Sequence, residues 1–142
     1  DPYFESVLTI VVPAKNTDIT GFDSLTGKTV AVQISTTGDY VAEEIEGVTI
    51  LRFNTVAEAM QNVAMGTADA MIVDLPVSEA FLAAYPGAQL KNLGPVADHE
   101  FLGIAIHKEN TELVEKVNWA LAELKADGTY DAIYNKWFGV QE

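Results

Sequence analysis

Cysteine is absent from the 142-residue chain, which excludes disulfides and thiolate metal sites and leaves the redox compartment open. Basic residues are scarce: eight Lys and Arg stand against 21 Asp and Glu, for a formal charge of −13. Nucleic acid is excluded as a partner because phosphate binding needs a basic surface to displace counterions, and anionic lipid headgroups are repelled. Long hydrophobic runs are missing too. Val7 to Val12, continued by Pro13 and Ala14, falls far short of the roughly 20 residues of a membrane helix. Only His99 and His107 offer an imidazole, no nucleophile precedes a base in a recognisable elbow, and no Gly-rich loop has a nucleotide-binding pattern. Asp98-His99-Glu100 can be drawn as a metal cluster, but adjacent residues point in different directions, so neither a metal nor another cofactor is expected.

What is present is a soluble globular composition, 49% hydrophobic and 20% charged, long enough for one domain with a real core. Strand-like and helix-like segments alternate. Ser6 to Val12, Thr29 to Gln33, Val48 to Phe53 and Ala70 to Val73 read as strands, with shorter ones over Ala88–Leu93 and Phe101–Ile106. Asn16 to Gly27 is turn-prone, a loop with a short helical turn. Helices are expected over Ser35–Ile45, Asn54–Gly66, Val77–Tyr85, Glu112–Ala126 and Tyr130–Phe138. The second is the clearest of the first half: Thr55 and Glu58 have the capping-box spacing, Val56, Ala59, Met60 and Val63 make an apolar stripe, and Gly66 stops it. The aromatics Tyr130, Tyr134, Trp137 and Phe138 recur at helical spacing, as core residues usually do. This alternation predicts an α/β fold with a mostly parallel sheet flanked by helices.

Ligands of such sheets bind beyond the carboxyl ends of the strands, in the loops that enter the next helices. Two loops there carry chemistry. Gln33-Ile34-Ser35-Thr36-Thr37-Gly38 joins hydroxyls to the backbone N–H groups of a helix start, a site suited to a carboxylate or a phosphate. Ordinary N-capping by Ser35 or Thr36 accounts for the same residues. Val73-Asp74-Leu75-Pro76 ends an apolar strand on a carboxylate that could accept from a ligand ammonium; Asp74 as the cap of the next helix, with Pro76 in its first turn, is the simpler alternative. Together the loops suggest a site for a zwitterion.

The order of short motifs resembles that of bacterial extracellular solute-binding proteins of the polar amino-acid class. The matching pieces are Asp1-Pro2-Tyr3-Phe4, Leu25-Thr26-Gly27-Lys28-Thr29-Val30-Ala31-Val32-Gln33, Ser35-Thr36-Thr37-Gly38, Gly66-Thr67-Ala68-Asp69-Ala70, and Asp74 with Pro76. Near the C-terminus follow Lys125-Ala126-Asp127-Gly128-Thr129-Tyr130 and Tyr134-Asn135-Lys136-Trp137-Phe138-Gly139. Each is weak alone; their order and spacing over essentially all 142 residues are specific. The resemblance implies a periplasmic-binding-protein-like fold of type II, two α/β lobes closing on an amino acid, and delivery to the permease of an ABC transporter. Carried over by position, Ser35, Thr36 and Thr37 match the loop that helps bind the α-carboxylate, with Ser35 standing where a Gly is common. Asp74 matches the carboxylate that holds the α-amine, and Gln33 a position that often touches the ligand side chain.

The resemblance also implies an organisation. Residues 1–8 would cross from the first lobe, 9–100 form the second lobe, and 101–142 return as a strand and helices of the first. The family's N-terminal segment, which supplies an aromatic wall and an Arg for the α-carboxylate, lies upstream of anything in this sequence, and Arg52, the only arginine, does not match that Arg. The C-terminal helices would then leave apolar surface open to another copy, by association or domain swapping. A periplasmic or extracellular location is implied, with a signal peptide in the precursor and a lipid anchor if the source is Gram-positive. A sensor domain of a receptor or histidine kinase is the first alternative, and a dehydratase of cyclic dienyl acids the second.

Overall fold

A computed structural model of the chain describes residues 1–138. In chain order the elements are β1 (Pro2–Ser6), β2 (Leu8–Pro13), a 3-10 turn (Phe22–Leu25), β3 (Thr29–Gln33), α1 (Thr37–Glu44), β4 (Thr49–Phe53), α2 (Val56–Ala64), β5 (Ala70–Asp74), α3 (Leu75–Ala84), a second 3-10 turn (Pro86–Ala88), β6 (Leu90–Asn92), β7 (Glu100–Gly103), α4 (Thr111–Ala126) and α5 (Thr129–Phe138). They divide into two compact units, Ser6–His99 and a second unit of residues 1–5 with the chain from Glu100 onward.

The Ser6–His99 unit is built on a five-stranded sheet of order β4-β3-β5-β2-β6. β3 pairs in parallel with β4 and β5, while β2 pairs antiparallel with β5 and with β6. Four strands therefore point one way and β2 alone runs against them. Every residue of β2 from Leu8 to Val12 is buried, as a strand covered on both faces requires. Its alternate side chains enter two cores: Leu8, Ile10 and Val12 pack with Leu25, Val30, Val32, Ala42 and Ile72, and Val11 packs with Ala31, Ala59, Met60, Val63 and Met71. At about 1.5–3 kcal/mol for each large aliphatic side chain removed from water, these two layers are the main source of the unit's stability.

Helix boundaries follow local chemistry. α2 carries the expected capping box, with Thr55 Oγ1 accepting from Glu58 N at 3.2 Å and Glu58 Oε2 accepting from Thr55 N at 3.0 Å. Beyond the C-terminal end of α2, Gly66 takes φ 78°, a left-handed conformation that costs glycine nothing. α1 begins at Thr37 and not at Ser35, because Ser35 has φ 61° and cannot continue a right-handed helix. α3 begins at Leu75, two residues before the expected Val77, since Pro76 is tolerated within a first turn. The stretch expected as one strand from Ser6 is divided between β1 and β2, and β7 stops at Gly103 instead of running to Ile106.

The second unit pairs β1 with β7 and carries α4 and α5. Asn110 caps α4 by accepting from Leu113 N at 3.2 Å. Between the two helices Asp127 accepts from Thr129 N at 2.8 Å, and hydrogen bonding to Thr129 holds its carboxyl below the ordinary carboxylate value. Tyr130 Oη donates to Tyr3 O at 2.8 Å, and the Phe4 ring lies 5.1 Å from that of Phe138. Yet no described residue of this unit is buried, and Phe101, Trp119 and Trp137 are 66–68% exposed. The expectation that the C-terminal aromatics are core is therefore not met within the unit itself. Gly139, the last residue of the aromatic motif, lies outside the described residues.

Candidate functional site

β3 and β5 are adjacent and parallel, with Val30 opposite Ala70 and Ala31 opposite Met71. Their carboxyl ends, Gln33 and Asp74, therefore come out at the same edge of the sheet, each followed by a helix. The two loops singled out in the sequence are neighbours because of this pairing.

The loop after β3 is held at several points. Ile34 N donates to Phe53 O at 2.9 Å, extending the β3–β4 ladder by one residue. Ser35 then turns into the left-handed region at φ 61°, a conformation that glycine takes without strain and serine does not. Thr36 occupies the N-cap of α1, but its hydroxyl makes no cap bond; Oγ1 donates backwards to Gln33 O at 2.8 Å. The reading of Ser35 or Thr36 as an ordinary side-chain cap is thus not what the structure shows for Thr36. Thr37 opens the helix and is exposed to solvent. The next residue, Gly38, is buried so tightly against β5 that a Cβ added there would lie 2.8 Å from the Ile72 carbonyl oxygen. Only glycine lets the start of α1 press on the backbone of β5 two residues before Asp74.

Asp74 stands at the N-cap of α3 without a side-chain cap bond. Its Oδ2 accepts instead from the buried Ser6 Oγ at 2.7 Å. The simpler alternative, a carboxylate committed to capping α3, does not hold: the group is oriented by β1's last residue and half-exposed at the sheet edge. Gln33, also half-buried, donates from Nε2 to Asn54 O at 3.1 Å, which turns its amide towards the end of β4.

Three residues that support this edge, Ser6, Asp39 and Arg52, are not assigned to the site by the sequence, where Arg52 is considered only as a match to the family's ligand Arg and set aside. Ser6 has no local signature, because its role depends on strand pairing across 68 residues. Asp39, buried at 4% exposure, accepts from Ser35 N at 3.0 Å and from Arg52 Nε at 2.8 Å. Arg52 also reaches Glu43. A signal for Asp39 was available, since Thr36 and Asp39 have the Thr-x-x-acid spacing of a capping box. Among the described residues no group of three or more His, Asp or Glu could hold a metal ion, and no helix is long and apolar enough to cross a membrane.

Known proteins share this fold over almost the whole chain. The chain is 35% identical over 144 residues to the putative ABC transporter arginine-binding protein 2 of Escherichia coli (strain K12), covering 96% of this chain and 57% of that protein. An ancestral arginine-binding protein bound to glutamine superposes with a TM-score of 0.91 at 42% identity, over 99% of this chain and 63% of the other. The ancestral amino acid-binding protein AncCDT-1, a precursor of cyclohexadienyl dehydratase, gives 0.84 at 41%, over 97% and 59%. All three are described as binding proteins, and the solved structures have the type II periplasmic-binding-protein fold. The chain spans less than two thirds of each. Residues 1–140 match the family model of the bacterial extracellular solute-binding proteins, family 3, and the chain belongs to that family.

Proposed function

We propose that this chain supplies one complete ligand-binding lobe of the substrate-binding component of an amino-acid ABC importer. The lobe takes the backbone end of a polar amino acid. Ser35, Thr36 and Thr37, with the N–H groups at the start of α1, receive the α-carboxylate. Asp74 receives the α-ammonium, and Gln33 lies where a polar ligand side chain would reach. The observation that carries this reading is the meeting of two opposite chemistries at one sheet edge. An anion-suited loop is pinned to β5 through Gly38, and beside it stands a carboxylate not used to cap its helix. The relatives described as binding arginine or glutamine support a polar ligand.

The remaining organisation is proposed on the same footing. Residues 9–100 form the second lobe, residues 1–8 cross into it, and 101–142 belong to the first lobe, whose larger part comes from chain beyond this sequence. The extent of the relatives, of which the chain covers 57–63%, supports this, as does the exposure of apolar residues on α4 and α5. The partners are then a membrane permease and its ligand, the location is periplasmic or extracellular with or without a lipid anchor, and the protein catalyses no reaction. The likeness to AncCDT-1 favours one other reading, dehydration of a cyclic dienyl acid, although that relative is itself described as an amino acid-binding protein.

Calorimetry on the full-length protein with a panel of polar amino acids tests the proposal. At least one should bind, and Asp74→Asn should weaken it about ten- to hundredfold, the worth of a hydrogen bond to a charged group. Unchanged affinity in Asp74→Asn overturns the assignment of the amine site; release of water from a cyclic dienyl acid supports the dehydratase instead.

A further inference from the structure

We propose that Asp39, locked in place by Arg52, is the positioning residue that shapes the carboxylate-binding loop. The proposal rests on the binding reading above and adds residues that do not touch the ligand. Ser35 is one of two described residues other than glycine with a positive φ, and a serine enters that region only when its surroundings over-determine it. Asp39 Oδ2 supplies that determination by accepting from Ser35 N at 3.0 Å. An acid three residues after the N-cap ordinarily reaches back to the N-cap N–H; here Asp39 reaches one residue further, to Ser35, and so draws the turn closed.

A carboxylate 4% exposed would be costly there without a partner of opposite sign. Arg52 Nε provides it at 2.8 Å on the other oxygen, and Arg52 is itself braced by Glu43 from α1. Arg52 lies on β4, directly opposite Val32 of β3. The chain's single arginine therefore ties β4, α1 and the turn before α1 into one network, and the loop enters binding already in shape. Holding the loop before the ligand arrives lowers the ordering cost of binding. The prediction is selective: loss of Asp39 should damage recognition of the carboxylate more than recognition of the rest of the ligand.

The test compares full-length wild type, Asp39→Ala, Asp39→Asn, Arg52→Lys and the double variant Ser35→Gly with Asp39→Ala. Binding is measured for the best amino acid and for its α-carboxamide, alongside amide hydrogen exchange at Ser35 without ligand. Asp39→Ala should weaken the free acid about tenfold or more while the carboxamide changes much less, and Ser35 should lose protection. Asp39→Asn and Arg52→Lys should lie between, and glycine at position 35 should restore part of the loss because it adopts the turn unaided. Equal losses for acid and amide, or unchanged affinity for both, overturn the proposal. Should the wild type bind no amino acid, the binding reading fails, and Ser35 exchange still decides: protection retained in Asp39→Ala, or in Asp39→Asn and Arg52→Lys if the alanine variant does not fold, overturns the positioning role.

Discussion

Two helices of this chain make an instructive pair. α2 has nine residues and α4 sixteen, yet α2 buries Ala59, Met60 and Val63 while α4 buries nothing. Both have side-chain N-caps, from Thr55 and from Asn110, and both carry an apolar stripe. The difference lies in what faces the stripe. α2 packs onto a sheet that is covered on both sides, whereas α4 belongs to a unit in which none of the described residues is buried. Sequence periodicity records the demand for a partner surface; it does not say which chain segment meets the demand.

The contrast can be broken most forcefully by truncating side chains. Met60→Ala should cost about 2–5 kcal/mol in chemical denaturation of the isolated chain, the range for a large core side chain. Trp119→Ala, at 66% exposure, should change the same measurement by no more than about 0.5 kcal/mol. In the full-length protein the tryptophan variant should become costly, because the proposed first lobe covers it. A next, smaller effect is expected at Gly38. Gly38→Ala drives a Cβ to 2.8 Å from the Ile72 carbonyl oxygen and should cost about 1–3 kcal/mol, because the obstacle is strand backbone and not the end of a flexible side chain. Gly103→Ala, in the other unit with open space around it, meets no such obstacle.

Smaller again is the cap of α2, where Thr55→Ala should cost about 1 kcal/mol. The smallest effect belongs to the exposed pair of Lys28 and Asp18, 2.7 Å apart. The hydrogen bond from Lys28 holds the Asp18 carboxyl below its ordinary 3.8, and the same bond raises the Lys28 ammonium above 10.5. The acid side of the pair therefore contributes fully above 3.8 and is lost as falling pH protonates Asp18; the base side contributes fully below 10.5 and is lost as rising pH deprotonates Lys28. Asp18→Asn should flatten both limbs slightly, and molar salt should hide the change.

Much of the Ser6–His99 unit is legible in the sequence because its signals are local. The strand Thr29–Gln33 has the expected bounds, and the Thr55–Glu58 box forms as its spacing predicts. Of β1 only Ser6 falls within a strand expected from the sequence, since its pairing partner, β7, is nearly a hundred residues away. The candidate site was legible as two loops, since strand–helix junctions are marked by Ser, Thr, Asp and Gly. Its supports were not. Ser6 meets Asp74 only through tertiary pairing, and Arg52 becomes relevant only when β4 lies beside β3. Ser35 could be flagged as standing where a glycine is common, but the bond that holds its turn appears only with the fold in hand.

The central claim is that the two loops at the ends of β3 and β5 grip an amino acid as half of a clamp. Side-by-side calorimetry of the isolated 142-residue chain and the full-length protein, with the same panel of polar amino acids, tests it most directly. The expected result is clear binding by the full-length protein and weak or no binding by the chain alone. Low-micromolar binding by the isolated chain would contradict it.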